Sequence, residues 1–571
     1  MYRKFSWSSI LVVIFLLLAI GLLVACEAEP TEVEVVRTVI VTETIIEEGE
    51  SVEVTRIVEV PVTVIAEAPE PVVEEVAEEE GPSGQLKISE TSDIVTVDPK
   101  YLRGRETQNV VRLMFDSLYH RDDEMQIIPW LATSLENPDE LTWRFHLREG
   151  VKFHNGNDFK ANDVKFSIER LMEDDSVWNA RSFVDRVEIV DDYTVDIITQ
   201  EPFAAFMTRL VLWHMTDEEY FNEVGEEGFL ESPVGTGPYE FVEWVKDERV
   251  VLEANEEYWR GAPQIKTVIF IPIPETATRL AALEAGDVDI VTAVPPEYID
   301  QPVEGVQISS VPGTRSFYLG MNVNVEPFND VRVRQAMNYA VDVDSIIEFV
   351  LNGLARPIDN PLLPEAFGYT ATPIYHYDPE KAMSLLAEAG YPDGFEMEID
   401  TYPVLKEIAE AIAGQLSAVG IDATVNVNEK AATYAKYEPG GSQTFVTSWG
   451  NSEADADGIL TKQFTSTRYG CDLLTYEYPD PLSGFGDSEK GCYYTGFGHP
   501  VVDEAVYEGK INVDPAARQA AYYQALQVIV EEAPWLFLYN PSEIFAQSSR
   551  VEGWIPRSDA LFNLENAWVT E

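Results

Sequence analysis

Apolar and polar positions alternate through residues 141–147. Leu141, Trp143, Phe145 and Leu147 fall on one side of an extended segment and Thr142, Arg144 and His146 on the other, which predicts a half-buried strand. Asn155-Gly156 predicts a turn. Beyond it Val164, Ile168, Leu171 and Met172 recur at helical spacing and predict a stripe packed on that sheet. Lys160 stands where an Asn, Ser or Thr would best accept the first free N–H groups, so the cap is imperfect. Elsewhere Leu86 to Ser89 reads as a strand and Val97-Asp98-Pro99 as a turn. A helix follows with Val110, Val111, Met114 and Leu118 on one face. Residues 187–195 read as a hairpin and Tyr239 to Val245 as a strand. Helices are predicted from Ala277, ended by Gly286, and from Asn329-Asp330, carrying Val333, Met337 and Val341. Asp378-Pro379-Glu380 opens another, stopped by Gly390, and Leu405 to Val419 forms one stopped by Gly420. Ile421, Ala423, Val425 and Val427 alternate as a strand. Asp514-Pro515 opens a last long helix closed by Pro534, followed by the buried strand Trp535 to Tyr539. Helices alternating with strands predict α/β packing.

At 571 residues the chain exceeds what one hydrophobic core usually holds, so two or three domains are expected. A formal charge of −61 repels phosphates and argues against nucleic acid as a partner. With six His, three Cys and no HExxH, CxxC, GxSxG or Walker-type run, no metal, cofactor or catalytic residue is expected. The N-terminus changes the address. Arg3 and Lys4 precede an apolar run from Ile10 through Val24, ending in Leu23-Val24-Ala25-Cys26. That order describes an export signal over residues 1–25. Its last four residues resemble a bacterial lipobox, which implies that Cys26 is lipidated and holds the protein at the outer face of a membrane. An uncleaved transmembrane anchor is the alternative. Residues 26–84 are rich in Val, Glu, Thr and Pro, and Val33-Glu-Val-Val-Arg-Thr-Val is echoed from Val52. With few aromatics and heavy acidic charge the stretch reads as a tether, its β-prone repeats leaving local pairing open.

Several runs carry a resemblance. They are Leu141-Thr-Trp-Arg-Phe-His-Leu-Arg-Glu-Gly-Val-Lys-Phe-His-Asn-Gly, Pro233-Val-Gly-Thr-Gly-Pro-Tyr, Asn255-Glu-Glu-Tyr-Trp-Arg-Gly-Ala-Pro, the segment Ala277 to Ile290, and Phe317-Tyr-Leu-Gly-Met-Asn. In the second, Gly235 and Gly237 read as backbone freedom and Pro238 as the entry to a strand. Pro238 also lacks an N–H and no helix starts there, which argues against a phosphate-cradling loop. Together these runs resemble the family 5 solute-binding proteins of ATP-binding cassette importers, the dipeptide- and oligopeptide-binding proteins. The resemblance implies a two-lobed, periplasmic-binding-protein-like α/β fold of type II with an extra subdomain. Residues 85–129, 226–315 and 535–571 would form the core of lobe I, 130–225 its extra subdomain, and 316–534 lobe II. It also implies a monomer that binds a small peptide or other small solute, works with membrane permease subunits, and performs no catalysis.

By the same resemblance Tyr101, Arg105 and Thr107 lie at the cleft, Tyr318 lies on the strand crossing between lobes, and the loop from Trp449 faces the ligand. Trp449 and Gly450 open that loop. Ser452 aligns with the carboxylate that pairs with a peptide's ammonium in dipeptide binders, and Glu453 takes that place if the loop is shifted by one. Asp455 and Asp457 match an Asp-Pro-Asp run in which Ala456 replaces Pro; the alternative is that they cap a helix starting near Gly458. Cys471 and Cys492 flank a loop rich in Tyr, Pro, Gly and Asp. A disulfide between them is the simplest pairing after export, worth about 3 kcal/mol in the chain-entropy model. An oligosaccharide, a metal chelate or another organic solute on the same fold is the first rival to a peptide. An exported hydrolase or a surface adhesion or sensory protein is the more distant one.

Overall fold

The computed structural model describes residues 33–47, 50–64, 81–102, 104–173, 183–299, 303–373, 375–437, 440–451, 453–466 and 495–570. Cys26, Ser452, Cys471 and Cys492 lie outside them, and with them the expected lipid attachment and disulfide. In the first unit, residues 1–79, the strand Val33–Glu47 pairs antiparallel with Glu50–Val64, from Val33 opposite Val64 to Glu47 opposite Glu50. The two halves of the Val-rich repeat thus pair their facing backbone groups.

Residues 80–571 form the second unit, built on a twelve-stranded mixed sheet. One half of it runs in the order Tyr239–Val245, Arg249–Ala254, Ile265–Pro272, Ser83–Glu90 and Ile290–Val291. Ser83–Glu90 is parallel to both its neighbours, and Leu86 and Ile88 on it are fully buried. The other half runs Arg315–Met321, Thr444–Gly450, Glu396–Thr401 and Asp422–Val427. The halves share one strand, Trp535–Ser548. Its first residues pair with Arg315–Met321 and Ala355–Pro357, and its later ones with Val306–Pro312 and Ile290–Val291. Two antiparallel segments therefore run side by side from half to half, one around Gly313-Thr314 and the other around Asn540-Pro541. The strand beginning at Trp535 stays in the second half for about six residues before crossing.

Each half has its own core. Val110, Met114, Tyr239, Leu252 and Val268 pack in the first, and Leu319, Val333, Met337, Ile399, Ile412 and Leu538 in the second. The helix Pro515–Glu532 closes a further cluster over Tyr318, Phe445 and Trp535. A four-stranded antiparallel sheet, Ala132–Glu136, Thr142–Leu147, Thr194–Thr199 and Val184–Asp191 in that order, forms a separate layer with the helix Ala161–Glu173. Trp143, Phe145 and Leu147 are buried there as their alternation predicts.

Local signals hold where the backbone needs a specific partner. Asp378 accepts from the Lys381 N–H and Asp514 from the Ala516 N–H at their predicted helix starts. Where Lys160 leaves a cap unfilled, Asp163 compensates: its carboxylate accepts from the Lys160 and Glu218 N–H groups, at 2.8 and 3.0 Å. The glycines of Pro233–Tyr239 act through close approach rather than unusual φ. A Cβ on Gly235 would sit 2.0 Å from the Met114 carbonyl oxygen and one on Gly237 2.5 Å from that of Leu113. The loop lies flat on the end of the helix Arg105–Met114. Its Thr236 hydroxyl joins Trp130, Tyr258 and Trp259 in donating to Asp116. Two separately recognised runs of sequence, together with Trp130, thus meet on one buried carboxylate. Burial, outweighing those four donors, pushes it up to about 6.

Candidate functional site

A cavity of about 360 Å³ opens between the two halves of the sheet. Size and mixed lining place it in the lower range of small-molecule sites. The first half contributes one face of the helix Arg105–Met114, with Arg105, Gln108 and Arg112 at helical spacing, together with Arg121 and Asp559. The opposite side of that helix carries Val110, Val111 and Met114 into the core. The second half contributes Arg315 and Tyr318 from one strand, Ser448, Trp449 and Gly450 from its neighbour, and Tyr434 and Tyr437 from the helix Lys430–Tyr437. One wall is rich in guanidinium groups and the other in aromatic rings.

Arg105, Tyr318, Trp449 and Gly450, all expected from sequence, line this cavity. Arg105 is held by a two-pronged pair with Glu543, both contacts 2.9 Å. Tyr318 stacks on Trp535, its ring planes 5° apart. Gly450 lets Arg315 lie against the strand: a Cβ there would be 3.2 Å from the Arg315 guanidinium. Tyr101 and Thr107 lie outside the lining. Tyr101 packs against the core of the four-stranded layer, and the buried Thr107 hydroxyl accepts from the Val95 N–H at 3.1 Å. The helix begins at Arg105, so Arg105 and Thr107 belong to its first turn rather than to a loop.

The acidic loop also lies off the cavity, and each of its described carboxylates meets a cation of the protein. Glu453 pairs with Arg209 and, at 2.8 Å, with Lys462. Asp457 pairs with Arg209 at 2.9 Å, and Asp455 takes both its contacts from one nitrogen of Arg518, at 2.9 and 3.0 Å. Asp455 also caps the helix Ala456–Gln463 by accepting from the Asp457 N–H. Arg209 and Lys462 beside Glu453 hold its carboxyl below the usual range, burial acting against them. Arg209, also against burial, does the same for Asp457. Arg209 stands on the short helix Phe206–Leu210, so this ion cluster joins the four-stranded layer to the second half.

Sequence reasoning passed over Arg112, Arg121, Arg315, Tyr434, Tyr437 and Asp559. The first had a signal: Arg105, Gln108 and Arg112 recur on the face opposite the apolar stripe of a helix already predicted. Arg315 and Asp559 had none, because chain segments far apart in sequence bring them to the cavity. Among the described residues no group of three or more His, Cys, Asp or Glu is placed to hold a metal ion. No described helix is long and apolar enough to cross a membrane.

The family model described as bacterial extracellular solute-binding proteins, family 5 Middle, matches residues 126–471. The chain is 31% identical over 507 residues to the glutathione-binding protein GsiB of Pectobacterium atrosepticum, covering 85% of this chain and 94% of that one. Among solved structures it is similar to the periplasmic binding protein DppA of Helicobacter pylori in complex with the peptide STSA. That match has TM-score 0.71 and 26% identity, and covers 86% of this chain and 98% of the other. It is also similar to AgaA of A. tumefaciens R10 in complex with agropinic acid, with TM-score 0.69, 26% identity and coverage of 86% and 99%.

Proposed function

The chain belongs to the bacterial extracellular solute-binding proteins of family 5, non-enzymatic substrate-binding components of ATP-binding cassette importers, and we propose that it captures a small peptide or peptide-like solute for a membrane permease. The observation that carries this reading is the cavity itself, walled by residues from both halves of the sheet. A solute in it touches the Arg105–Met114 helix on one side and the Trp449 strand on the other. Those contacts exist together only when the halves are shut, so the solute shifts the equilibrium toward closure by its differential affinity. The two side-by-side crossings near Gly313 and Asn540 are the hinge. The halves are the lobes, and the four-stranded layer is the extra subdomain of the first.

In this reading Arg105, Tyr318, Trp449 and Gly450 belong to the solute's surroundings. Glu453, Asp455 and Asp457 act one step back, tying the loop after Trp449 to Arg209, Lys462 and Arg518. The relatives bind glutathione, a tetrapeptide and agropinic acid by their names, and a cavity of this volume suits the smaller end of that range. Attachment through a lipidated Cys26 would keep the protein beside its permease. Cys26→Ser protein should then leave the membrane fraction, and its retention would argue against that anchor.

The test is a melting-temperature screen against glutathione, di- to tetrapeptides, agropinic acid and oligosaccharides. A solute that binds only the folded protein adds about 2.7 kcal/mol at a hundred times its Kd. Stabilisation by a short peptide or glutathione supports the reading. Stabilisation by sugars alone replaces the peptide, and turnover of any compound overturns solute capture.

A further inference from the structure

Two charged groups of the cavity lining are paired within the protein. Arg105 is paired with Glu543, and Asp559 with Arg557. Three guanidinium groups in the lining have no carboxylate partner among the described residues. Arg121 donates to the backbone carbonyls of Met125 and Glu453. Arg315 donates only to the Ser448 hydroxyl, at 3.0 and 3.2 Å. The Arg112 side chain makes no hydrogen bond or ion pair with a described residue, although it lines the cavity. Its surroundings oppose its charge. Burial, with the Arg557 and Arg121 guanidinium groups adding repulsion and Asp559 opposing them, pushes Arg112 down to about 10.

This concentration of positive charge stands in a chain whose net charge is −61. Carboxylates are abundant in the chain, yet Asp559 in the lining is already taken by Arg557 and Glu543 beside it by Arg105. An uncompensated cation inside a protein costs free energy, and such groups gather where a ligand supplies the missing charge. The planar guanidinium fork matches a carboxylate two oxygens at a time, and the facing Tyr434, Tyr437 and Trp449 suit an organic body. We propose that the solute is a small organic anion with at least one free carboxylate, gripped by Arg112 from one half of the protein and by Arg315 from the other. The proposal rests on the solute-capture reading above and narrows its substrate class. It also gives closure a sign: the anion neutralises cations on both sides of the cleft only when they face each other.

The experiment uses the full chain in detergent and pairs of probes that differ in charge alone. These are glutathione and its diamide, alanyl-glutamate and its diamide, and succinate and succinamide, with glycerol phosphate as a different oxyanion. Calorimetry on wild type and on Arg112→Gln and Arg315→Gln reads the affinities. The acid of at least one pair is expected to bind at least 30-fold more tightly than its neutral partner, with each substitution removing most of that preference. Arg112→Gln without any probe should melt no lower than wild type, because it relieves a half-buried charge with no carboxylate partner. A purely structural arginine would give a lower melting temperature instead. Binding by neutral members as tight as by acids, acid binding unchanged in both variants, or binding by glycerol phosphate alone overturns the carboxylate assignment while solute capture stands. Failure of every acid and every neutral probe, peptides and sugars included, counts against both.

Discussion

At the scale of single residues, buried charge is tolerated here where it meets opposite charge. Glu453 packs over the start of the helix Ala456–Gln463 because residue 458 is glycine; a Cβ there would lie 1.9 Å from its carboxylate oxygen. Arg209, Glu453 and Asp457 form a unit in which each neutralises another. Arg209→Met should therefore cost about 3–5 kcal/mol of unfolding free energy, since two carboxylates are left buried with less compensation. A urea denaturation midpoint within error of wild type would show that the cluster holds nothing. Glu90 gives a pH signature. It is 4% exposed, accepts from Asn109 and Thr292, and burial raises it to about 7 from the ordinary 4.5. A carboxyl raised on folding binds more protons folded than unfolded, so its contribution falls as pH rises from about 4.5 to about 7 and stays low above. Glu90→Gln should stabilise the protein at pH 8 relative to wild type by up to about 3 kcal/mol, with the advantage vanishing near pH 4. Melting curves across that range check it.

At the scale of elements, pieces of sequence that look independent lock together. The Phe153-His154-Asn155-Gly156 turn meets the Pro233–Tyr239 loop through His154. Its ring accepts from the Gly235 N–H at 3.3 Å on Nδ1 and donates to the Gly237 carbonyl at 2.9 Å from Nε2. Burial lowers this His to about 4. A depressed His contributes stability that is present above pH 6.5 and lost as pH falls toward 4, opposite in sign to Glu90. In His154→Gln the acid side of the stability profile should flatten, which melting at pH 4 to 7 would reveal. The same loop predicts that Gly235→Ala destabilises by about 1–3 kcal/mol or more, because the new methyl meets a backbone oxygen that has nowhere to go. An unchanged melting temperature would mean that the loop and the Arg105–Met114 helix do not touch as described.

At the scale of the whole molecule, the division of labour follows from how periodicity works. A repeat of two or of 3.6 residues states which face of an element is buried, and that was readable from residues alone at Trp143 to Leu147 and in the helices after Asp378 and Asp514, which Gly390 and Pro534 stop. The α/β packing was legible for the same reason, while the two-lobed fold and the solute-binding family were legible only as a resemblance carried by runs such as Pro233 to Tyr239. Arg105, Tyr318, Trp449 and Gly450, which the resemblance named, line the cavity proposed for the solute. What periodicity never states is which partner a charged side chain finds. Asp455 and Asp457 look in sequence like carboxylates waiting for a ligand, and only the tertiary structure brings Arg518 and Arg209 to them from 63 and 248 positions away. Arg112 looks in sequence like one more solvated helix residue, and only the tertiary structure leaves it facing a cavity without a counter-charge. Ion pairing depends on distance in space, and a chain fixes that distance only once its two halves have folded against each other.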